Sequence, residues 1–261
     1  MIYANQFHKR TYAGQLTSTR ISFLGQQICL FQDRDTISKI WNSSALSSPL
    51  SIQIYTLKNF FGVSDKALAA YSGGNQAIIP TKGLSHHTHN LFLRGFAGRG
   101  LTPITNRFTQ ALYRHTGELC QQDDRNENQW TENADFQHFF EHFMNTSLLE
   151  SVFSPLLLKL NPSFVDDLLQ FDEQVPWLAR AVPSFLYPKP YRIRDRLCEQ
   201  LTKWYAYAQE NFDEDRHVNH EDGSDPFWGS QVARDHHALL STVEEYDEHS
   251  RAAATLGLAF G

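Results

Sequence analysis

The chain has 261 residues, 41% of them hydrophobic and 20% charged, with a net charge of −6 and a pI near 6.0. That length can bury a sizeable core in one large domain or two small ones, and the acidic balance leaves no electrostatic footprint for nucleic acid. Cys29, Cys120 and Cys198 form neither a disulfide framework nor a metal-ligand spacing, the N-terminus lacks an apolar signal core, and no run reaches the roughly 18 apolar residues of a membrane span, so the sequence as written reads as a soluble chain from a reducing compartment.

The first ordered signal is an alternation around a turn, from Arg20 through Gly25 to Phe31, which predicts a β-hairpin over 19–31. Asp33 to Asn42 reads as a short helix with Ile37, Ile40 and Trp41 on one side. Residues 43–83 are loop-rich around one helical piece, Ile54 to Tyr71. Gly83 to Gly100 carries several glycines together with His86, His87 and His89, then the apolar patch Leu91-Phe-Leu93 and Arg94. From Pro103 onward helices dominate.

Trp130 to Val152 places Phe136, Phe139, Phe140 and Phe143 at i, i+3, i+4 and i+7, a single apolar stripe. Asn161-Pro162 predicts a helix start, a capping Asn with Pro at the first helical position. Phe164, Leu168, Phe171 and Val175 share the face that follows, and Pro176 is expected to break that helix. A proline-punctuated apolar connector spans 176–190. Ile193, Leu197, Leu201, Trp204, Ala208 and Phe212 then mark a long amphipathic helix. An acidic loop over 213–229 precedes a helix from Ser230 to Val243, and Ser250 to Gly261 begins an apolar helix whose character asks for partners on most faces. That last feature makes the end of the sequence look like a cut edge. The expected fold class is mainly α with a small N-terminal β-hairpin.

His138-Phe-Phe-Glu141-His142 matches H-x-x-E-H, the inverted zinc-protease signature of two His ligands and a Glu base. At about 100° per residue, however, all three lie opposite the four phenylalanines, which predicts a solvated polar face rather than a recessed site. His86, His87 and His89 suit imidazole ligation of a transition metal, with a polar loop or helix start as the plainer reading. His236-His237 is a weaker signal of the same kind. Asp213 to Asp225, with His217 and His220 among the acids, lacks the alternating ligands of a calcium loop and reads as solvated. No Ser/His/Asp order, phosphate-cradling glycine loop or paired CxxC is present.

Taken together, several segments resemble the N-terminal half of a cytochrome P-450. They are Ile54 to Val63, Leu91 to Leu101 with Arg107-Phe-Thr109, Leu160 to Leu168 with Phe171-Asp172 and Val175-Pro176, and above all Pro188 to Leu197 with Lys203-Trp204. The likeness continues through Ala206 to Ala208, Asp225 to Ser230, Arg234, Ser250 and Leu256-Gly-Leu258. It is strongest to fungal members related to the sterol 7α-hydroxylase and prostacyclin synthase branch. The resemblance implies a single incomplete domain: residues 1–42 as the small β element and first helix, 43–102 as a loop-rich region facing substrate and haem, and 103–261 as a helical body. Within it, Phe164 to Val175 and Arg194 to Phe212 look like the F and G helices, and Ser250 to Gly261 like the opening of the central I helix. The apolar flap 176–190, with Trp177, Phe185, Leu186 and Tyr187, would then meet a lipophilic substrate or a membrane surface.

The resemblance further implies a haem-dependent, NADPH-reductase-driven monooxygenase that hydroxylates a sterol, terpenoid or other secondary metabolite, usually anchored to the endoplasmic reticulum. Arg94 is the candidate partner of a haem propionate, although Asn90 stands where the family usually has Trp. The axial cysteine loop is not matched: Gly25-Gln-Gln-Ile-Cys29 has its G-x-x-x-C spacing but lacks the preceding Phe, and Phe31 replaces the final Gly. Glu248-His-Ser-Arg251 has the form of the family's E-x-x-R but precedes the helix it should follow. The expectation is therefore a chain inactive on its own. Two alternatives stand beside it, a zinc hydrolase using His138, Glu141 and His142, and a non-catalytic helical protein that binds a lipophile.

Overall fold

The computed structural model describes residues 18–23, 26–43, 49–73, 83–122 and 135–260. They are mainly helical, with one small antiparallel sheet, and the chain divides into two compact units, 1–49 and 50–261. In the first, β1 (Ser18–Phe23) pairs with β2 (Gln26–Phe31) in a register running from Ser18 opposite Phe31 to Phe23 opposite Gln26, as the alternation predicts. Asp33 opens α1 (Arg34–Asn42), its carboxylate accepting from the Thr36 amide at 2.7 Å. Capping of this kind satisfies a helix donor that has no partner within the helix.

The second unit starts with α2 (Leu50–Thr56), which widens into a π-helical turn over Leu57–Phe61. Gly62 ends it at φ +83, a left-handed conformation that glycine adopts without steric cost. The predicted single helix over 54–71 is thus two, because Ser64 then caps α3 (Asp65–Tyr71). The glycine-rich stretch after it is a helix, α4 (Leu84–Phe96), followed by a short 3₁₀ turn at Gly98–Gly100 and by α5 (Leu101–Gln122). Next come α6 (Phe136–Leu160), α7 (Phe164–Ala179), α8 (Lys189–Asn211), the single turn α9 (Glu214–His217), α10 (Gln231–Ser241) and α11 (Glu248–Phe260).

The core is organised by α8. Ile193, Leu197, Leu201, Trp204 and Ala208 recur every three or four residues and are all buried, so one stripe packs against α7 and α11. Phe164, Phe171 and Leu178 answer from α7, and Ala252, Ala253 and Leu256 from α11. Removing each large side chain from water contributes about 1.5–3 kcal/mol. Small residues on α11 let its backbone approach. A Cβ on Gly257 would lie 3.2 Å from the Phe61 ring, which itself packs on Phe171 and Phe260.

Two expectations are corrected here, and one apolar stripe proves to lie largely at the surface. Pro176 does not end its helix, since α7 continues to Ala179. The lost hydrogen bond falls in the last turn, and the fully buried Leu178 secures that turn. Asn161 does not open α7. It closes α6, and its Nδ2 donates to the carbonyls of Leu157 at 3.2 Å and Gln200 at 3.1 Å, while Ser163 is the N-terminal boundary residue of α7. The phenylalanine stripe of α6 is not core: Phe136 and Phe140 are exposed, Phe139 and Phe143 only partly buried, and burial on this helix starts at Ser147.

α6 also bends. Ser154 sits at φ 73, ψ 146, a conformation nearly confined to glycine, immediately before Pro155. The 222–230 segment holds it there. Ser154 Oγ donates to the Pro226 carbonyl at 2.6 Å and accepts from the Leu156 amide, while the Ser230 amide donates to the Val152 carbonyl at 2.9 Å. Gly229, at φ +83, lies so close that an added Cβ would stand 2.3 Å from the Ser154 nitrogen.

Candidate functional site

Arg94 lies in the last turn of α4, its Nε donating to the Asn90 carbonyl at 3.4 Å. It borders a crevice of about 690 Å³ shared with Arg99, Arg107, Arg234, Asp222 and Asp235. Most of these charges are already committed. Arg234 donates to Asp225 at 2.6 Å and to the Gly223 carbonyl, and Arg107 donates to the Ser151 carbonyl while facing Asp222 at 3.6 Å. Burial lowers the Arg107 pKa, against the pull of Asp222 and Asp225. Burial raises that of Asp235, which Arg234, a hydrogen bond with Gln231 and, more weakly, Arg94 partly offset. Arg94 and Arg99 have no carboxylate in ion-pair contact among the described residues. Most of the acidic segment is exposed, as expected for a solvated stretch, but its last residue, Asp225, is buried, where it accepts from the Phe227 and Trp228 amides and holds Arg234 in a clasp.

The flap residues differ in exposure. Phe185 is 83% exposed, Leu186 68% and Trp177 42%. Tyr187 differs: it is half-buried, its hydroxyl donates to Gln174 at 3.1 Å, and its ring packs 5.1 Å from that of Trp177.

The histidine motifs separate sharply. His86, His87 and His89 lie exposed on α4, with His86 bonded to Asn90. His138 and Glu141 line an open acidic crevice with Asp135, Asp166, Asp172 and Glu173, and His142 pairs with Asp166 at 3.3 Å. Among the described residues no group of three His, Cys, Asp or Glu side chains is placed to hold a metal ion. His236 and His237, the pair with the weakest motif, are the buried ones. They belong to the same apolar stripe of α10 as Val232, Ala233 and Leu240. A polar pair inside a helical apolar stripe was the readable signal that they do something other than coat the surface.

His237 stacks on Trp228 and packs at a 54° tilt on Tyr205, both at 4.5 Å between ring centres, with Gln209 at 3.4 Å from its Nε2. His236 packs on Phe92 at 5.3 Å and meets the Thr255 hydroxyl through Nδ1 at 3.3 Å. Burial holds the pKa of each ring down to about 4, helped by the neighbouring His237 for the first and by Arg251 for the second. Both rings are therefore neutral at physiological pH. His236 also lines a half-open, largely apolar cavity of about 250 Å³ between the α2–π segment, α3, α4, α10 and α11, with the exposed Ile52 at its rim. Two hydroxyls bordering that cavity, of Thr88 and Tyr246, are buried without a hydrogen-bond partner among the described residues.

No thiol among the described residues fits haem iron. Cys198 is buried in the α8 core, where desolvation pushes its pKa up to about 12 and keeps it a neutral thiol. Cys29 stands exposed on β2, and the Cys120 side chain lies outside the described residues. Among the described residues no helix is long and apolar enough to cross a membrane.

No family model matches the chain. Curated relatives do. The cytochrome P450 monooxygenase fsoE of Humicola fuscoatra is 28% identical over 173 residues, 66% of this chain and 29% of that protein. The cytochrome P450 monooxygenase efuG of Hormonema carpetanum is 20% identical over 217 residues, 83% of this chain and 37% of that protein. The cytochrome P450 monooxygenase calL of Penicillium decumbens is 30% identical over 116 residues, 44% and 21% of the two chains. The chain is thus related to fungal cytochrome P450 monooxygenases and spans between about a fifth and two fifths of the length of these three.

Proposed function

We propose that this chain is the substrate-recognition portion of a cytochrome P450-like monooxygenase acting on a lipophilic compound such as a sterol, terpenoid or other secondary metabolite. The observation that carries the reading is the likeness to fungal monooxygenases, which in one relative extends over 83% of the chain. Two structural features support it. The exposed Phe185, Leu186 and Trp177 form an apolar tip between α7 and α8 suited to an oily substrate or a bilayer surface such as the endoplasmic reticulum. Arg94, which forms no ion pair among the described residues and borders an open crevice, suits a carboxylate such as a haem propionate. Kinship with the sterol 7α-hydroxylase branch and electron supply by an NADPH-dependent reductase belong to the same proposal.

In the intact relatives haem supplies oxygen activation, and the protein supplies binding and orientation. The described thiols do not fit that iron, so we infer that these 261 residues do not by themselves oxygenate a substrate. The test is the absorbance spectrum of the haem-supplemented chain, reduced and exposed to carbon monoxide. The expected result has no thiolate-type shift of the Soret band. A thiolate-type band abolished by changing Cys29, Cys120 or Cys198 to Ser would overturn the inference. One observation favours a second reading, a non-catalytic lipophile-binding protein: the apolar cavity beside His236 is formed wholly by this chain.

A further inference from the structure

Thr88 and Tyr246 carry hydroxyls that the fold has buried and left unpaired. Thr88 lies on α4 and Tyr246 in the segment between α10 and α11, and they are 7% and 1% exposed. Neither hydroxyl has a hydrogen-bond partner among the described residues, and both residues line the half-open cavity beside His236. Their positions are fixed by the backbone. Thr88 belongs to a helix, while the Tyr246 amide donates to the Val243 carbonyl at 3.0 Å and its carbonyl accepts from Arg251 Nη1 at 3.0 Å.

A buried hydroxyl ordinarily finds a partner, and leaving one unpaired costs more than a made bond returns. The hydrogen is the pressing part, because unpaired buried donors are rarer in folded proteins than under-used acceptors. Burial pushes the Tyr71 phenol, which also lines the cavity, up to about 12 and raises that of Tyr246 too, with Tyr71 adding to the rise. Both phenols therefore keep their hydrogens at physiological pH.

Most of the remaining wall is carbon. Leu57, Phe61, Leu240 and Leu258 supply it, while Ala254 and Gly257 are small enough to leave the space open. His236 shares the wall, with its Nδ1 already beside the Thr255 hydroxyl. A mainly apolar cavity with a few placed polar groups binds by burial and selects by hydrogen bonding. We propose that this cavity binds a compact, mainly apolar molecule carrying a carbonyl oxygen, which the Thr88 and Tyr246 hydroxyls recognise as donors. A carbonyl suits them because it brings two lone pairs and no hydrogen that needs an acceptor of its own. Only residues of this chain take part, so the site stands apart from the monooxygenase reading. Ligand binding and the Soret spectrum are separate measurements, and each can fail while the other holds.

Two bicyclic probes of one shape test it on the full chain: tetralin, a hydrocarbon, and 1-tetralone, in which a carbonyl replaces one methylene. Both should bind saturably. The informative quantity is the ratio of their affinities compared between variants, so that the unequal hydration of the two probes cancels. Deleting a donor hydroxyl, in Tyr246→Phe or Thr88→Val, should lower the preference for the ketone by several-fold up to about tenfold, the range of one net hydrogen bond. Tetralin should bind as well as before. The same substitutions should leave the urea midpoint of the empty chain unchanged or raised, because an unpaired hydroxyl has no bond to lose. Ala254→Leu should weaken both probes together by occupying the space. A ratio unchanged in both hydroxyl variants, a midpoint lowered by the substitution that lowers the ratio, or binding indifferent to Ala254→Leu would each overturn the proposal. So would the absence of saturable binding of either probe, which would leave the hydroxyls to internal water. Should the variants not fold, the infrared carbonyl stretch of 1-tetralone bound to the unaltered chain decides. It is expected below its position in cyclohexane, and a band at the cyclohexane position refutes the hydrogen bond.

Discussion

The chain carries two helical histidine pairs that differ in almost every physical respect. His138 and His142, one turn apart on the outer half of α6, have the spacing of a metal site and the environment of a surface: His138 is exposed, and His142 is half-exposed against Asp166. His236 and His237 are adjacent on α10, share no ligand spacing, and are sealed among Phe92, Tyr205, Trp228 and Thr255. Spacing along the sequence is the same kind of information in both. What separates them is the face of the helix and what the rest of the chain brings to it. A neutral imidazole enclosed by carbon is a directional hydrogen-bonding group, whereas a solvated one is a weak and screened partner.

Acid should break the comparison most visibly. Each buried ring has a folded pKa of about 4 against 6.5 in the unfolded chain. Above pH 6.5 neither state binds a proton there and stability is complete. Below it the unfolded chain takes up protons that the folded chain refuses, so stability falls as the pH drops from 6.5 towards 4. The linkage is at most about 3 kcal/mol per ring. Urea midpoints at pH 7 and pH 4.5 should therefore differ strongly, and His236→Phe should flatten the profile. A profile of unchanged steepness in that variant would remove His236 from the account.

Gly229→Ala should cost more than about 3 kcal/mol, because it combines a left-handed φ with a clash against the α6 backbone beneath Trp228, the ring on which His237 stacks. Chemical denaturation measures it directly, and a loss below about 1 kcal/mol would show that the clasp yields. His237→Ala should cost about 2–4 kcal/mol by leaving a cavity between Trp228 and Tyr205. His142→Ala, at the other end of the scale, should change stability by no more than about 0.5 kcal/mol. Stoichiometric zinc binding that is lost in His138→Ala would reverse the assignment of the α6 pair.

Much of the architecture was legible in the sequence because it rests on local periodicity. The hairpin follows from alternation, α8 from apolar residues every three or four positions, and α10 and α11 from the same pattern. The failures share one cause, namely that tertiary contacts decided between locally acceptable options. Pro176 is tolerated because Leu178 is buried beyond it, and Asn161 serves α6 because the Gln200 carbonyl is within its reach. The four phenylalanines of α6 have the right period for a core face, but periodicity cannot say whether another element covers that face. Of the candidate site, Arg94 and the flap were readable as residues, while the cavity was not. It needs Phe61, Phe92, His236 and Leu258 from four elements, and no spacing along the chain announces that meeting.

The bend at Ser154 has a consequence in time. Its support comes from Pro226, Gly229 and Ser230, some seventy residues later in the chain. During synthesis α6 emerges long before that support exists, so the angle between the parts on either side of Ser154 is not yet fixed. The angle is set only when the 222–230 segment arrives and threads its backbone bonds onto the bend. Contacts of such wide sequence separation form late, and the Ser230 amide is expected to be among the last to gain protection in pulse-labelled hydrogen exchange during refolding. In this chain the direction of a helix is decided by residues not yet made when the helix appears.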